Sequence, residues 1–183
     1  MIKIYAVVGM CGSGKSEITK YLKEKYNWPI IYLGAITFEW MKKRNIEVNY
    51  ENEKNTREQI RRENGGLGAY ALLSLPQIEE TLKNSPIVIV ESLYSWSEYK
   101  ILKEKYSDDF KVIASWAPPI VRFKRLMSRK NERPINSWEE FQRRDYSEIE
   151  NIEKGGPIAM ADYLLLNDSD LKNLHSQIDR LDL

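Results

Sequence analysis

Five apolar runs punctuate this chain, and polar stretches with helical spacing separate them. Ile2–Val8, Ile30–Leu33, Ile87–Val90, Lys111–Trp116 and Tyr163–Leu166 are rich in Ile, Val and Leu. Continuous apolar runs of this length suit parallel strands covered on both faces. Helices are predicted over Ser16–Tyr26, Thr37–Arg44, Glu53–Glu63, Gly68–Lys83, Ser97–Tyr106, Pro119–Arg129 and Ser137–Glu150. In the first of these, Ile18, Tyr21, Leu22 and Tyr26 recur at spacings that line one face. Asp168–Leu183 closes the chain as a further helical stretch, with Asp168 placed to cap it. Strands alternating with helices predict an α/β fold, a three-layer doubly wound sandwich around a five-stranded parallel sheet. Residues 34–84 separate the second strand from the third and are largely helical. They read as an insertion over the strand ends, where such sheets bind ligands.

Composition narrows the class. The chain has 183 residues, 42% of them hydrophobic and 30% charged, which fits one globular domain over residues 1–183. Its 28 basic and 27 acidic residues give a net charge of +1. That balance argues against a large nucleic-acid footprint and leaves room for a local basic patch. No apolar run approaches the roughly 18 residues of a membrane span. The first strand begins at Ile2, where a signal peptide does not fit. Cys11 is the sole cysteine, which excludes an intrachain disulfide and a cysteine-cluster metal site. A cytoplasmic protein without a membrane partner is expected, as a monomer or homodimer. His175 is the sole histidine and is far in sequence from the loop described next, so histidine general-base chemistry is not expected.

The first strand runs into Gly9-Met10-Cys11-Gly12-Ser13-Gly14-Lys15-Ser16, which fills the phosphate-loop pattern G-x-x-x-x-G-K-[ST]. The strand, loop and helix context is the one that motif requires. Gly9, Gly12 and Gly14, with Ser13, let the backbone turn tightly and aim its N–H groups inward as an anion nest. Lys15 is expected to reach the β- and γ-phosphates of ATP, and the Ser16 hydroxyl to ligate Mg²⁺. Glu17 opens the following helix, whose positive dipole end faces the phosphates. Cys11 reads either as a redox-sensitive thiol or as a variable loop position.

Other residues add candidate chemistry. Glu91 follows the third strand directly, at the edge where phosphate-loop proteins place an acid near Mg²⁺. It can hold a metal-bound water or accept a substrate proton; the alternative is a plain turn cap. Arg122, Arg125 and Arg129 fall on one helical face, continued by Lys130 and Arg133. Such a stripe, over 122–136, can act as a lid that stabilises transition-state charge, or it is a solvated face. Arg125 and Arg129 are the catalytic candidates. Arg143, Arg144 and Asp145 are weaker ones. Arg57 and Arg61, with Arg62 beside them, sit at a spacing that can hold a phosphate bidentately. Trp40, Tyr50, Tyr70, Tyr94 and Trp96 offer faces for a base, with core packing as the alternative for each.

The chain resembles the small P-loop kinases of the nucleoside-monophosphate kinase superfamily. It looks most like the archaeal-type adenylate-kinase-related, dephospho-coenzyme-A-kinase-like group. The likeness spans nearly the whole chain: Gly9–Ser16, Leu33-Gly34, Ile60–Gly65, Arg122–Leu126, Ser137–Phe141 with Arg144-Asp145, and Ala159–Tyr163 through Asn167. The resemblance implies use of ATP and Mg²⁺, an arginine-bearing lid and a nucleotide pocket around residues 34–70. Gly34, Arg57, Arg61 and Tyr94 are the acceptor-side candidates. Departures fall on that side. Ala35 stands where the group has Asp, Phe38 where it has Arg, and Glu91-Ser92-Leu93-Tyr94 replaces Asp-Gly-x-Arg.

The expected function is an ATP-dependent phosphotransferase acting on a nucleotide-like acceptor. A non-catalytic nucleotide-binding regulator and a kinase of a modified base or nucleic-acid end are the competing readings.

Overall fold

The computed structural model describes residues 2–129 and 135–183. Its strands are β1 (Lys3–Val8), β2 (Ile30–Tyr32), β3 (Ile87–Glu91), β4 (Phe110–Trp116) and β5 (Tyr163–Leu166). They form one sheet in the order β2-β3-β1-β4-β5. Every pairing is parallel, and central β1 sets Ala6 opposite both Val90 of β3 and Val112 of β4. From β1 the chain runs through α1 to β2 at one edge, returns to β3 beside β1, and then crosses to β4 on the other side of β1. A crevice therefore opens at the carboxyl end of β1, where ligands bind in sheets of this kind.

The helices are α1 (Lys15–Tyr26), α2 (Ala35–Lys43), α3 (Tyr50–Glu63), α4 (Ala69–Leu82) and α5 (Trp96–Tyr106), followed by α6 (Pro119–Met127), α7 (Trp138–Glu150), α8 (Gly155–Ala159) and α9 (Leu171–Asp179). The strand period of two sorts side chains to two cores. Ile4, Ala6 and Val8 pack with Ile60 of α3, Ala71 and Ile78 of α4 and Leu102 of α5. Tyr5 and Val7 face the opposite layer, with Ile18 and Leu22 of α1 and Leu174 and Ile178 of α9. Leu126, Ile135 and Phe141 form a third cluster that ties α6 to α7 and touches Cys11.

The five-stranded three-layer architecture agrees with the sequence. Three local readings change. The cap of the last helix is Asp170, whose carboxylate accepts from the Asn173 N–H at 2.8 Å, not Asp168. Helix α3 begins at Tyr50 because Asn49 caps it, accepting from the Asn52 N–H at 2.9 Å. Helix α8 was not expected, since Gly155-Gly156-Pro157 reads as a turn. Gly156 is needed for close approach: a Cβ there would stand 2.9 Å from the Trp96 ring.

Candidate functional site

The loop between β1 and α1 is built by conformations that side chains resist. Gly9, Gly12 and Gly14 have φ of 147°, 81° and 99°. A Cβ on Gly9 would meet the Ser115 carbonyl at 2.4 Å, and one on Gly14 would strike Asn167 Nδ2. Gly14 caps α1 in the left-handed conformation without a side-chain hydrogen bond. Glu17 and Ile18 donate to the Gly14 carbonyl at 3.0 and 3.3 Å, so the N–H groups ahead of them, on Lys15 and Ser16, are the ones suited to an anion. Lys15 Nζ donates to the carbonyls of Gly9 at 2.9 Å and Met10 at 3.1 Å, spanning the mouth of the cradle. Ser16 and Glu17 are exposed on the first turn of α1. Buried Ser13 sets the back wall: its carbonyl accepts from Ser115 Oγ at 2.7 Å and Asn167 Nδ2 at 2.8 Å.

A clamp from α6 and α7 holds this loop. Buried Arg122 donates to the Cys11 carbonyl at 3.2 Å and grips Asp145 of α7 through both guanidinium nitrogens, at 2.9 and 2.6 Å. Arg125 donates to the Gly12 carbonyl at 3.4 Å and to Asn167 Oδ1 at 3.1 Å. The expected arginine stripe therefore divides. Arg122 braces the loop from behind, Arg125 lies beside it, and Arg129 is exposed just past α6. Lys130 and Arg133 lie outside the described residues.

In front of the loop lies a cleft of about 860 Å³. Cys11 and Lys15 form its floor, and α2, α3 and α4 supply Thr37, Phe38, Arg57, Arg61 and Tyr70. The opposite wall carries Arg143, Arg144, Glu148 and Lys154, and Ser92, Tyr94 and Glu98 close one end. Gly34 lines it too; a Cβ there would run into the Tyr32 ring at 2.3 Å. Arg57 is paired with Glu53 at 3.1 Å, and Arg61 lies 5.8 Å from the Tyr70 ring centre. The structure thus brings Arg57, Arg61, Gly34 and Tyr94 to one cleft with Lys15. Tyr50 and Tyr70 join them. Trp40 and Trp96 instead pack against the core, Trp40 beneath Arg44 at 3.8 Å and Trp96 stacked on Tyr99. His175 stacks on Tyr21 in the α1–α9 layer, away from the cleft.

Burial dominates the electrostatics. It pulls Lys15 down to about 7, helped by the charges of Lys154 and Arg129, while Glu148 acts in the opposite direction. Burial raises Glu91 above the usual carboxylate range, and Lys15 opposes that. Glu91 ends β3 and is followed by Ser92 at φ 70°, a left-handed position that aims the next residues back over the cleft. Tyr94 donates its hydroxyl to Ser92 at 3.0 Å. Ser16, on the first turn of α1, and Glu91, the last residue of β3, carry a hydroxyl and a carboxylate, oxygen donors of the kind Mg²⁺ takes. No cluster of three or more His, Cys, Asp or Glu side chains able to hold a metal occurs among the described residues.

Three site residues escape sequence reasoning. Glu98 was legible, because Ser95-x-x-Glu98 is a capping box; its buried carboxylate accepts from the N–H groups of Tyr94 and Ser95 at 2.7 and 3.0 Å. Lys154 and Glu148 carried no such signal. They meet at 2.6 Å because α8 folds Lys154 back toward α7.

Comparison with known proteins matches the same span. A family model described as an AAA domain covers residues 6–153. The UPF0200 protein of Thermococcus sibiricus is 35% identical over 179 residues, covering 97% of this chain and 93% of that one. The UPF0200 protein of Methanocaldococcus jannaschii is 35% identical over 178 residues, 97% of this chain and 88% of its own. Among solved structures, a shikimate kinase from Bacteroides thetaiotaomicron superposes with a TM-score of 0.61 at 19% identity, over 98% of this chain and 96% of its own. A gluconokinase from Sinorhizobium meliloti gives 0.56 at 16%, over 96% and 88%. The chain belongs to the AAA-domain family and to the UPF0200 proteins; its fold is that of P-loop kinases.

Proposed function

We propose that this UPF0200 protein is an ATP-dependent phosphotransferase that moves the γ-phosphoryl group of Mg-ATP to a nucleotide or nucleotide-like small molecule. One observation carries the reading: the phosphate-loop lysine and an arginine-lined cleft of about 860 Å³ share one cavity. That volume suits a small-molecule ligand. The loop glycines, Ser13 and the first turn of α1, with Glu17, would cradle the donor phosphates, and Lys15 would span the β- and γ-oxygens. Ser16 and Glu91 would hold Mg²⁺, which when bound neutralises charge on those phosphates. Arg57, Arg61 and Tyr94, with Gly34 giving backbone access, would seat the acceptor on the 34–84 insertion. Arg125 and Arg129 would offset charge at the transferring group.

In the transfer, an acceptor oxygen forms a bond to the γ-phosphorus as the bond to the β–γ bridging oxygen breaks. ADP leaves with that electron pair. Alternatively to holding Mg²⁺, Glu91 would serve as the base that takes the proton of a hydroxyl acceptor, its proton affinity then raised by burial. Catalysis on this plan is positioning and charge stabilisation rather than covalent chemistry. No described helix is long and apolar enough to cross a membrane. The protein is proposed to work in the cytoplasm, as a monomer or homodimer, without nucleic acid.

The test is ADP formation from Mg-ATP with a panel of nucleoside monophosphates, nucleosides, dephospho-coenzyme A, shikimate and gluconate. Acceptor-dependent ADP well above a Lys15→Ala control is expected. Tight ATP binding with no acceptor response would favour a nucleotide-binding regulator instead.

A further inference from the structure

Lys154 is 5% exposed and stands at the start of α8, immediately after Glu153, whose φ of 57° is left-handed. Residues with a side chain resist that conformation. The turn delivers the lysine ammonium to one place. Nζ donates to Glu148 at 2.6 Å and lies 4.5 Å from the Tyr94 ring centre.

Among the described residues the charge count around it does not close. Arg144 also faces Glu148, at 3.6 Å, so one carboxylate serves two cations. Lys15 Nζ donates to the backbone carbonyls of Gly9 and Met10, and after burial the charge of Lys154 is the next influence that lowers its proton affinity. Lys15, Lys154 and Arg144 all line the same cleft. Cations packed this way are costly unless an anion joins them. The loop fixes where the donor phosphates sit, below Lys15. Lys154 stands across the cleft from α2–α4 but against Tyr94, one of the acceptor-side residues.

We propose that Lys154, oriented by Glu148, is a catalytic residue that contacts the phosphoryl group in flight, from the acceptor side. It complements Lys15 on the donor side. The inference rests on the phosphotransferase reading. Charge spreads over the equatorial phosphoryl oxygens as the acceptor oxygen bonds to phosphorus and the bridging oxygen departs with its electron pair. An ammonium held there in a water-poor cleft stabilises that charge without reorganising. The Tyr94 ring face helps keep the lysine cationic, by a cation–π contact.

The experiment needs no knowledge of the acceptor. Equilibrium binding of Mg-ADP is measured with and without aluminium fluoride, which with ADP and a water mimics the phosphoryl group in transfer. The wild type is expected to bind Mg-ADP more tightly with the fluoride present. Lys154→Met should leave Mg-ADP affinity within about threefold and weaken the fluoride complex by about a hundredfold or more, the size of one lost oxyanion contact. Lys154→Arg should recover much of it. Lys154→Met with Glu148→Gln removes the buried unpaired carboxylate and should behave as Lys154→Met if that single variant folds poorly. An unchanged fluoride complex in either Met variant, or none in the wild type while Mg-ADP binds, would overturn the role of Lys154 and leave donor binding standing. Failure of the wild type to bind Mg-ADP at all would overturn the phosphotransferase reading itself, and this inference with it.

Discussion

Lys15 illustrates how one residue reads the state of the site. Burial and nearby cations lower its folded pKa from 10.5 to about 7. A lysine depressed in this way binds fewer protons folded than unfolded between about pH 7 and 10.5. Its charge therefore costs stability below that window, and the cost fades as pH rises through it. A triphosphate beside the ammonium acts in the opposite direction and restores the proton. Mg-ATP binding at pH 8 is thus predicted to take up close to one proton. Titration calorimetry in buffers of different ionisation enthalpy reads this directly. Lys15→Ala should abolish the uptake and weaken binding. At this scale the sequence was legible where a residue's role follows from its loop: Gly9, Gly14, Lys15 and Ser16 needed only their spacing. It was opaque for Lys154 and Glu148, whose meeting depends on a turn that a Gly-Gly-Pro string does not specify.

Elements decide what the arginines do. Spacing in the sequence put Arg122, Arg125 and Arg129 on one helical face, but α6 ends at Met127, short of Arg129, and spacing says nothing of what the face meets. Helix α7 supplies Asp145, which claims Arg122 through two hydrogen bonds at 2.9 and 2.6 Å. Arg122 in turn holds the Cys11 carbonyl of the loop. The pair is buried, so removing one partner strands the other. Arg122→Met or Asp145→Asn is predicted to cost about 3–5 kcal/mol in chemical denaturation. The double change Arg122→Met with Asp145→Leu should recover a large part of that loss. Mg-ATP affinity should stay low in the double variant, because the loop still lacks its brace. Full recovery of affinity would mean that Arg122 serves folding alone. Periodicity found every strand of the sheet, since parallel strands buried on both faces are continuous apolar runs. It missed α8, five residues long, and moved the last cap by two residues because Asp168 and Asp170 both suit the position.

The whole molecule hides its polarity. A net charge of +1 describes a chain with almost equal numbers of acids and bases, yet the fold gathers Lys15, Arg57, Arg61, Arg143, Arg144 and Lys154 around one cleft, against Glu53, Glu98, Glu140 and Glu148. Composition averages that asymmetry away; topology creates it. The order β2-β3-β1-β4-β5 places the loop after β1 beside Glu91 of β3, and the insertion between β2 and β3 arches over both. The donor half of this arrangement follows from a short pattern. The acceptor half comes from α2, α3, α4, α7 and α8 at once, so no local pattern reveals it. The central claim is that the two halves work together on one phosphoryl group. Incubation with ATP labelled on the γ-phosphate, in the presence of the acceptor panel, tests that claim most directly. Label is predicted to appear covalently in one of the acceptors, and to be absent with Lys15→Ala. Label that stays in ATP, or passes only to inorganic phosphate whichever acceptor is added, would contradict it.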